Sequence, residues 1–128
     1  MKNILILINN LPIELCDIIY NYLPISTIMR VNKTNYSKYY YEYIFLKIRN
    51  HITYARNNIC YDNYFTFSHY VNCCKKKLFL KKKINYNGKN YFALIELYKN
   101  LCNYYESTKC KNIIDQIHIN QIKDVFCL

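Results

Sequence analysis

Between two prolines, residues 11–36 carry their apolar positions at helical intervals. The stretch reads LPIELCDIIYNYLPISTIMRVNKTNY, and Leu15, Ile18, Ile19 and Tyr22 recur at the i, i+3, i+4, i+7 offsets of one helix face. Pro12 suits a first helical position, because its φ is already helical and the N–H it lacks would have had no partner there. Glu14, in that first turn, complements the positive end of the helix dipole. Pro24 stops the helix, since its ring blocks continuation and moves Leu23 out of the α region. Ser26 and Thr27 offer hydroxyls to cap a second short helix, with Ile28 and Val31 as its buried positions. Residues 32–35, Asn-Lys-Thr-Asn, form a polar break, and a third helix starts at Tyr36.

The pattern continues through the rest of the chain. In 36–52, Tyr40, Ile44, Ile48 and Ile52 lie at successive i+4 steps, widened by Tyr41 and Phe45, with Lys38, Glu42, Lys47 and Arg49 on polar faces. This predicts one amphipathic helix whose role is core. Residues 53–62 are mixed and polar, Asn57-Asn58 suggests a turn, and a module boundary is placed after Ile52. Asp62 or Asn63 can cap a further helix through Tyr64, Phe67, His69, Tyr70, Cys73 and Cys74. Asn87-Gly88 is the strongest short turn signal and suits a type I′ hairpin between 84–86 and 89–91. The competing reading, with helices on both sides of Gly88 as a stop and Asn90 as the next cap, is the one expected. Helical spacing returns in 91–105 through Phe92, Ile95, Leu97, Tyr98, Leu101, Cys102 and Tyr105. After a break at 107–109, Ile113, Ile114, Ile117, Ile122, Val125 and Phe126 predict a last helix or two shorter ones. The expected fold is all-α: a lead-in at 1–10, a three-helix module at 11–52, and a helical region at 53–128, with a short hairpin at Asn87-Gly88 as the alternative.

The first segment resembles an F-box. That family opens on Leu-Pro-x-Glu-Leu, has an Ile a few residues on and a Tyr-Leu-Pro-type corner, then a second helix ending before a lysine and an aromatic. Here the elements are Leu11-Pro12-Ile13-Glu14-Leu15, Ile18, Tyr22-Leu23-Pro24, Ile28, Val31, Lys33 and Tyr36. Ser26 stands where the family often has an acidic residue, and Tyr36 stands in place of the usual tryptophan; the chain has no Trp. The resemblance implies a protein that performs no reaction and docks on a Skp-type adaptor of a cullin–RING ubiquitin ligase. Leu11 and Pro12 would insert at the adaptor's surface. Ile13, Leu15, Ile18, Leu23, Pro24, Ile28, Val31, Lys33 and Tyr36 would extend that contact or hold the three helices, and residues after about 52 would bind an unidentified protein target. Read from the residues alone, Leu15, Ile18, Ile19 and Tyr22 are the buried face of any amphipathic helix.

Composition alters this picture in three ways. An apolar fraction of 52% is ample for a core and excludes a disordered chain. Abundant Asn, Ile, Lys and Tyr beside scarce Gly, Pro and Ala match A/T-rich codons, a look similar to short F-box proteins of large DNA viruses and AT-rich protists. The net charge of +10 favours acidic partners, and the adaptor that receives F-boxes is acidic. Two lysine triplets, Lys75-Lys76-Lys77 and Lys81-Lys82-Lys83, flank Leu78-Phe79-Leu80. With the many tyrosines they motivate a second hypothesis, a small basic protein that binds nucleic acid or serves as a viral structural protein. The blander reading is a solvated helix face or an edge strand blunted by lysine. Seven cysteines, an odd count, with no secretion signal point to free thiols in a reducing cytosol or nucleus. The apolar run Ile4–Ile8 is too short for a signal-peptide core or a bilayer span.

No cofactor, metal or catalytic motif is expected. One glycine cannot make a phosphate loop, and H-E-x-x-H and G-x-S-x-G are absent. His51, His69 and His118 are scattered. Cys73, Cys74, Cys102 and Cys110 with His118 lack any C-x-x-C spacing and read as buried apolar thiols.

Overall fold

The structure, a computed structural model, describes residues 10–126. The run Ile4–Ile8 and the side chains of Val125 and Phe126 lie outside what it describes. The described residues are mostly helical, with one small two-stranded sheet, and the chain divides into two compact units, Met1–Lys47 and Ile48–Leu128.

The first unit holds α1 (Ile13–Tyr22), α2 (Ile25–Ile28), α3 (Lys33–Tyr43) and a 3-10 turn, Phe45–Lys47. Leu-Pro-Ile occurs twice, at Leu11 and at Leu23, and each copy launches a helix in the same way. The Pro12 carbonyl accepts the N–H groups of Leu15 and Cys16 at 3.0 Å, and the Pro24 carbonyl accepts those of Thr27 and Ile28 at 3.0 and 3.1 Å. Each proline therefore stands just outside its helix rather than in the first turn, and Ser26 and Thr27 lie within α2 instead of capping it. The expected polar break at 32–35 is a helix start: Asn32 is extended (φ −155°, ψ 169°) and its side chain accepts the Asn35 N–H at 2.8 Å. Ile28, Met29, Val31, Tyr40 and Phe45 form the buried set.

The single helix expected over 36–52 does not form. Ile44 leaves helical geometry at φ −122°, and Asn50 caps a new helix by accepting the Thr53 N–H at 3.1 Å. A short polar side chain that satisfies backbone donors competes with helix continuation. The periodicity of Ile44, Ile48 and Ile52 gave no sign of it.

The second unit comprises α4 (His51–Cys60), α5 (Tyr64–Cys73), α6 (Lys75–Leu78), β1 (Ile84–Tyr86), β2 (Lys89–Tyr91), α7 (Leu94–Tyr104) and α8 (Thr108–Phe126). Asn57 and Asn58, expected to make a turn, lie inside α4; Asn58 is buried and its Oδ1 accepts from Thr66 Oγ1 at 2.9 Å. Four helices pack in a ring, α4 against α5, α5 against α8, α8 against α7 and α7 against α4. The buried side chains of Ala55, Ile59, Phe67, Leu97, Tyr98 and Ile114 are all below 1% exposed and form its centre. The region 108–126 is one helix rather than two.

Gly88 does not end a helix. Asn87 (φ 49°) and Gly88 (φ 80°) take the paired positive φ values of a type I′ turn, with Ile84 opposite Tyr91 and Tyr86 opposite Lys89. Residues 91–93 therefore belong to β2 and its exit, and α7 starts only at Leu94.

With its one glycine in the hairpin, the chain ends two helices on L-residues in the left-handed region. Asp62 (φ 48°) follows α4 and Glu106 (φ 55°) follows α7. Asn63 N–H reaches back to the Asn58 carbonyl at 2.8 Å, and Ser107 N–H to the Cys102 carbonyl at 2.9 Å. This is the closing bond of a Schellman turn in both cases.

Candidate functional site

The residues singled out in the first unit fall into two groups. Ile28 and Val31 are buried, 7% and 8% exposed, and Tyr36 and Leu23 are half-buried. Tyr36 stacks obliquely on Tyr40, ring centroids 5.6 Å apart, one turn along α3. These side chains hold the short helices together. The α1 residues face outward: Ile13 is 77% exposed, Leu15 47%, Ile18 56% and Tyr22 85%. Pro12, Pro24 and Lys33 are exposed as well, and Leu11 is half-buried, its carbonyl accepting from Cys16 Sγ at 3.5 Å. The stripe of Leu15, Ile18 and Tyr22, which ordinary amphipathic logic would bury, is thus presented rather than hidden.

The lysine triplets occupy different settings in the second unit. Lys75, Lys76 and Lys77 make up most of the four-residue helix α6, anchored by Leu78, which is fully buried. Lys81, Lys82 and Lys83 lie on the extended approach to β1, where Lys82 N–H donates to the Phe92 carbonyl at 2.8 Å. All six side chains are exposed. Lys81–Lys83 border an open recess floored by Phe79, Phe92 and Ile95.

Polar groups inside the ring of helices bind one another. Tyr70 and Tyr98 share a hydrogen bond of 2.9 Å, and Tyr70 also reaches His51 Nδ1 at 3.3 Å. Burial pushes the Tyr98 phenol up to about 12 and raises Tyr70 further, while burial and the nearby Lys77 charge lower His51. These groups stay neutral at physiological pH, which suits structure rather than proton transfer. His69 is lowered by burial alone, and His118 hydrogen-bonds Lys99. The three histidines do not gather in one place.

Burial raises the thiols of Cys74 and Cys102 to about 12, and raises Cys110 as well. No group of three or more His, Cys, Asp or Glu side chains among the described residues could hold a metal ion. Among them, too, no helix is long and apolar enough to cross a membrane.

Two features escaped the sequence reading. Asp62 reaches the start of α8, its carboxylate accepting the N–H groups of Cys110 at 2.9 Å and Lys109 at 3.3 Å. Nothing local signals a cap supplied from so far back in the chain. The second feature is a cleft of about 290 Å³ between the hairpin, α4 and α7, lined by Arg56, Lys89 and several tyrosines. Its residues come from three separate segments, so only the tyrosine content hinted at it.

Comparisons with protein-family models, with curated proteins and with solved structures give no match to the chain.

Proposed function

We propose that the protein is a non-enzymatic adaptor. Its F-box-like three-helix segment, 11–36 with the start of α3, docks on a Skp-type protein of a cullin–RING ubiquitin ligase, and the second unit carries the target. The observation that supports this reading most is the outward-facing stripe of Leu15, Ile18 and Tyr22 on a helix launched by Leu11-Pro12. A segment that kept those side chains for its own core would have no apolar knob to offer. Such anchors carry affinity at an interface, while rim charges such as Lys33 mainly aid encounter.

The test is co-expression with a Skp-type adaptor followed by size-exclusion chromatography. Leu11→Ala combined with Pro12→Ala, and separately Ile18→Asp, abolish co-elution while leaving the helical circular dichroism unchanged. A double variant that still co-elutes in full refutes the proposal. The nucleic-acid hypothesis on the two lysine triplets draws on their exposure alone, a property that a solvated face shares. Neutralising both triplets would collapse a salt-dependent affinity if it were right.

A further inference from the structure

We propose that the cleft between the hairpin, α4 and α7 binds a nucleotide: a planar base carrying a phosphate. The proposal concerns the second unit and does not depend on the docking role of the first.

Charge argues first. Arg56 on α4 and Lys89 on β2 line the cleft, and none of the lining residues is a carboxylate. Arg56 is half-buried, and no ion pair joins it to another described residue. Partial desolvation of a guanidinium without a counter-charge is unfavourable, and a phosphate offsets it through paired, charge-assisted hydrogen bonds. Lys89 adds a flexible second cation at the edge of the hairpin.

Shape and ring chemistry argue next. Tyr86 and Tyr91 from the hairpin, with Tyr104 and Tyr105 at the end of α7, surround the opening. Tyr104 is 78% exposed. Its ring meets Tyr105 edge to face, centroids 4.9 Å apart at 90°, and most of the ring is open to solvent. A tyrosine face presented to solvent is a stacking platform that accepts any base. The volume of about 290 Å³ sits at the lower end for small-molecule sites and fits one nucleotide unit rather than a large cofactor.

Polar groups decide between anionic aromatics. Asn100 Nδ2 donates to Tyr91 Oη at 2.6 Å, which orients the phenol so that its own O–H points away from the amide. Asn87, exposed at the hairpin tip, brings a second carboxamide into the lining. Carboxamides and phenols match the mixed donors and acceptors of a base edge. The ring of a phosphorylated tyrosine has no such edge and would leave them unused.

The experiment is isothermal titration of the full chain at low salt with two probes, adenosine monophosphate and a short oligoadenylate. Saturable binding is expected, weakened about 5- to 100-fold by Arg56→Gln and by Tyr104→Ala, with unchanged thermal melting. Lys76→Gln with Lys82→Gln, a control of larger charge change, leaves monophosphate binding within about twofold. Equal affinity per site for both probes identifies a free nucleotide as the ligand; tighter oligoadenylate binding, still lost in the two cleft variants, identifies a strand. The proposal is overturned if neither probe binds, or if Arg56→Gln and Tyr104→Ala bind as the parent does. It is also overturned if O-phosphotyrosine displaces the monophosphate at equal concentration, which would assign the cleft to a phosphorylated peptide.

Discussion

Replacing Asp62 tests how the second unit is closed. This carboxylate has two tasks: it occupies a left-handed position (φ 48°) after α4, and it accepts the Cys110 and Lys109 N–H groups at the start of α8. Loss of a capping side chain costs about 1 kcal/mol. Placing alanine in the left-handed region adds about another 1 kcal/mol, because Cβ approaches the carbonyl oxygen and no side-chain oxygen compensates. Asp62→Ala is therefore expected to destabilise the unit by about 2 kcal/mol. Asp62→Gly loses the cap but is at ease at that φ, so its cost falls to about 0.5 kcal/mol. Asp62→Asn keeps one accepting oxygen and loses the charge at the helix start, for about 0.5–1 kcal/mol. Urea unfolding followed by circular dichroism and by alkylation of Cys110 measures these values; with a slope near 2 kcal/mol/M, Asp62→Ala lowers the midpoint by about 1 M. The pH dependence gives a second readout. Burial pushes the Asp62 carboxyl upward, but the Cys110 and Lys109 hydrogen bonds and the Lys109 charge outweigh it, and its pKa falls below the ordinary value. The stability it lends is fully present above the unfolded value of about 3.9 and is lost as pH falls through the lower folded value. The gap between parent and Asp62→Asn should close there. Equal costs for the alanine and glycine variants would refute the backbone part of the argument, and an unchanged Asp62→Ala would refute all of it.

Three further outcomes are expected. Tyr70→Phe leaves the buried Tyr98 hydroxyl without its partner and costs about 1–3 kcal/mol, whereas Tyr98→Phe leaves Tyr70 bonded to His51 and costs about 0.5–1.5 kcal/mol; denaturant titration of the singles and the double ranks them, and the reverse order would contradict the network. In native protein, mass spectrometry after iodoacetamide should find exposed Cys60 alkylated first, with Cys74, Cys102 and Cys110 modified only on unfolding, because burial both covers them and disfavours the thiolate. Below about pH 6.5 the second unit should lose stability: burial, with the Lys77 charge at His51, lowers His51 and His69, so the unfolded chain takes up protons first. Unfolding midpoints that do not move between pH 7 and pH 5 would contradict this.

The sequence showed where helices lie better than where they begin and end. Periodicity located α1, α5 and α7 because each buries or presents one face, and the spacing of that face is set by helix geometry. It failed between 36 and 60, where Asn50 and Asn58 decided the outcome by bonds that hydrophobic spacing does not encode. Asn50 starts a helix in the middle of an apolar repeat, and Asn58, which looked like a turn, is tied down inside α4 by Thr66. At 84–91 the Asn-Gly signal was the sounder guide, and reading Gly88 as a helix stop with Asn90 as the next cap misled. The exposure of Leu15, Ile18 and Tyr22 was not legible from spacing, because a stripe reads the same whether it faces a core or a partner.

The two units spend their apolar residues differently. In the second, tyrosines such as Tyr70 and Tyr98 are almost fully buried and satisfy each other's hydroxyls, so a chain rich in tyrosine can still build a dry centre. In the first, the buried set is small, Ile28, Met29, Val31, Tyr40 and Phe45, while α1 holds Leu15, Ile18 and Tyr22 in solvent. A unit of about 40 residues lies near the lower limit for a self-sufficient core, and one that leaves Ile13, Leu15, Ile18 and Tyr22 of its first helix outside lies closer still. Covering that stripe would stabilise α1 in proportion to the area removed from water, about 25 cal/mol per Å². A partner that covered it would thus bind and stabilise the helix in one step. Lining the stripe with charge, as Ile18→Asp does, would remove the first effect and leave the intrinsic helix largely untouched. If the proposed adaptor docks there, amide exchange across Ile13–Tyr22 slows when it is added, and the slowing is absent in the Ile18→Asp variant.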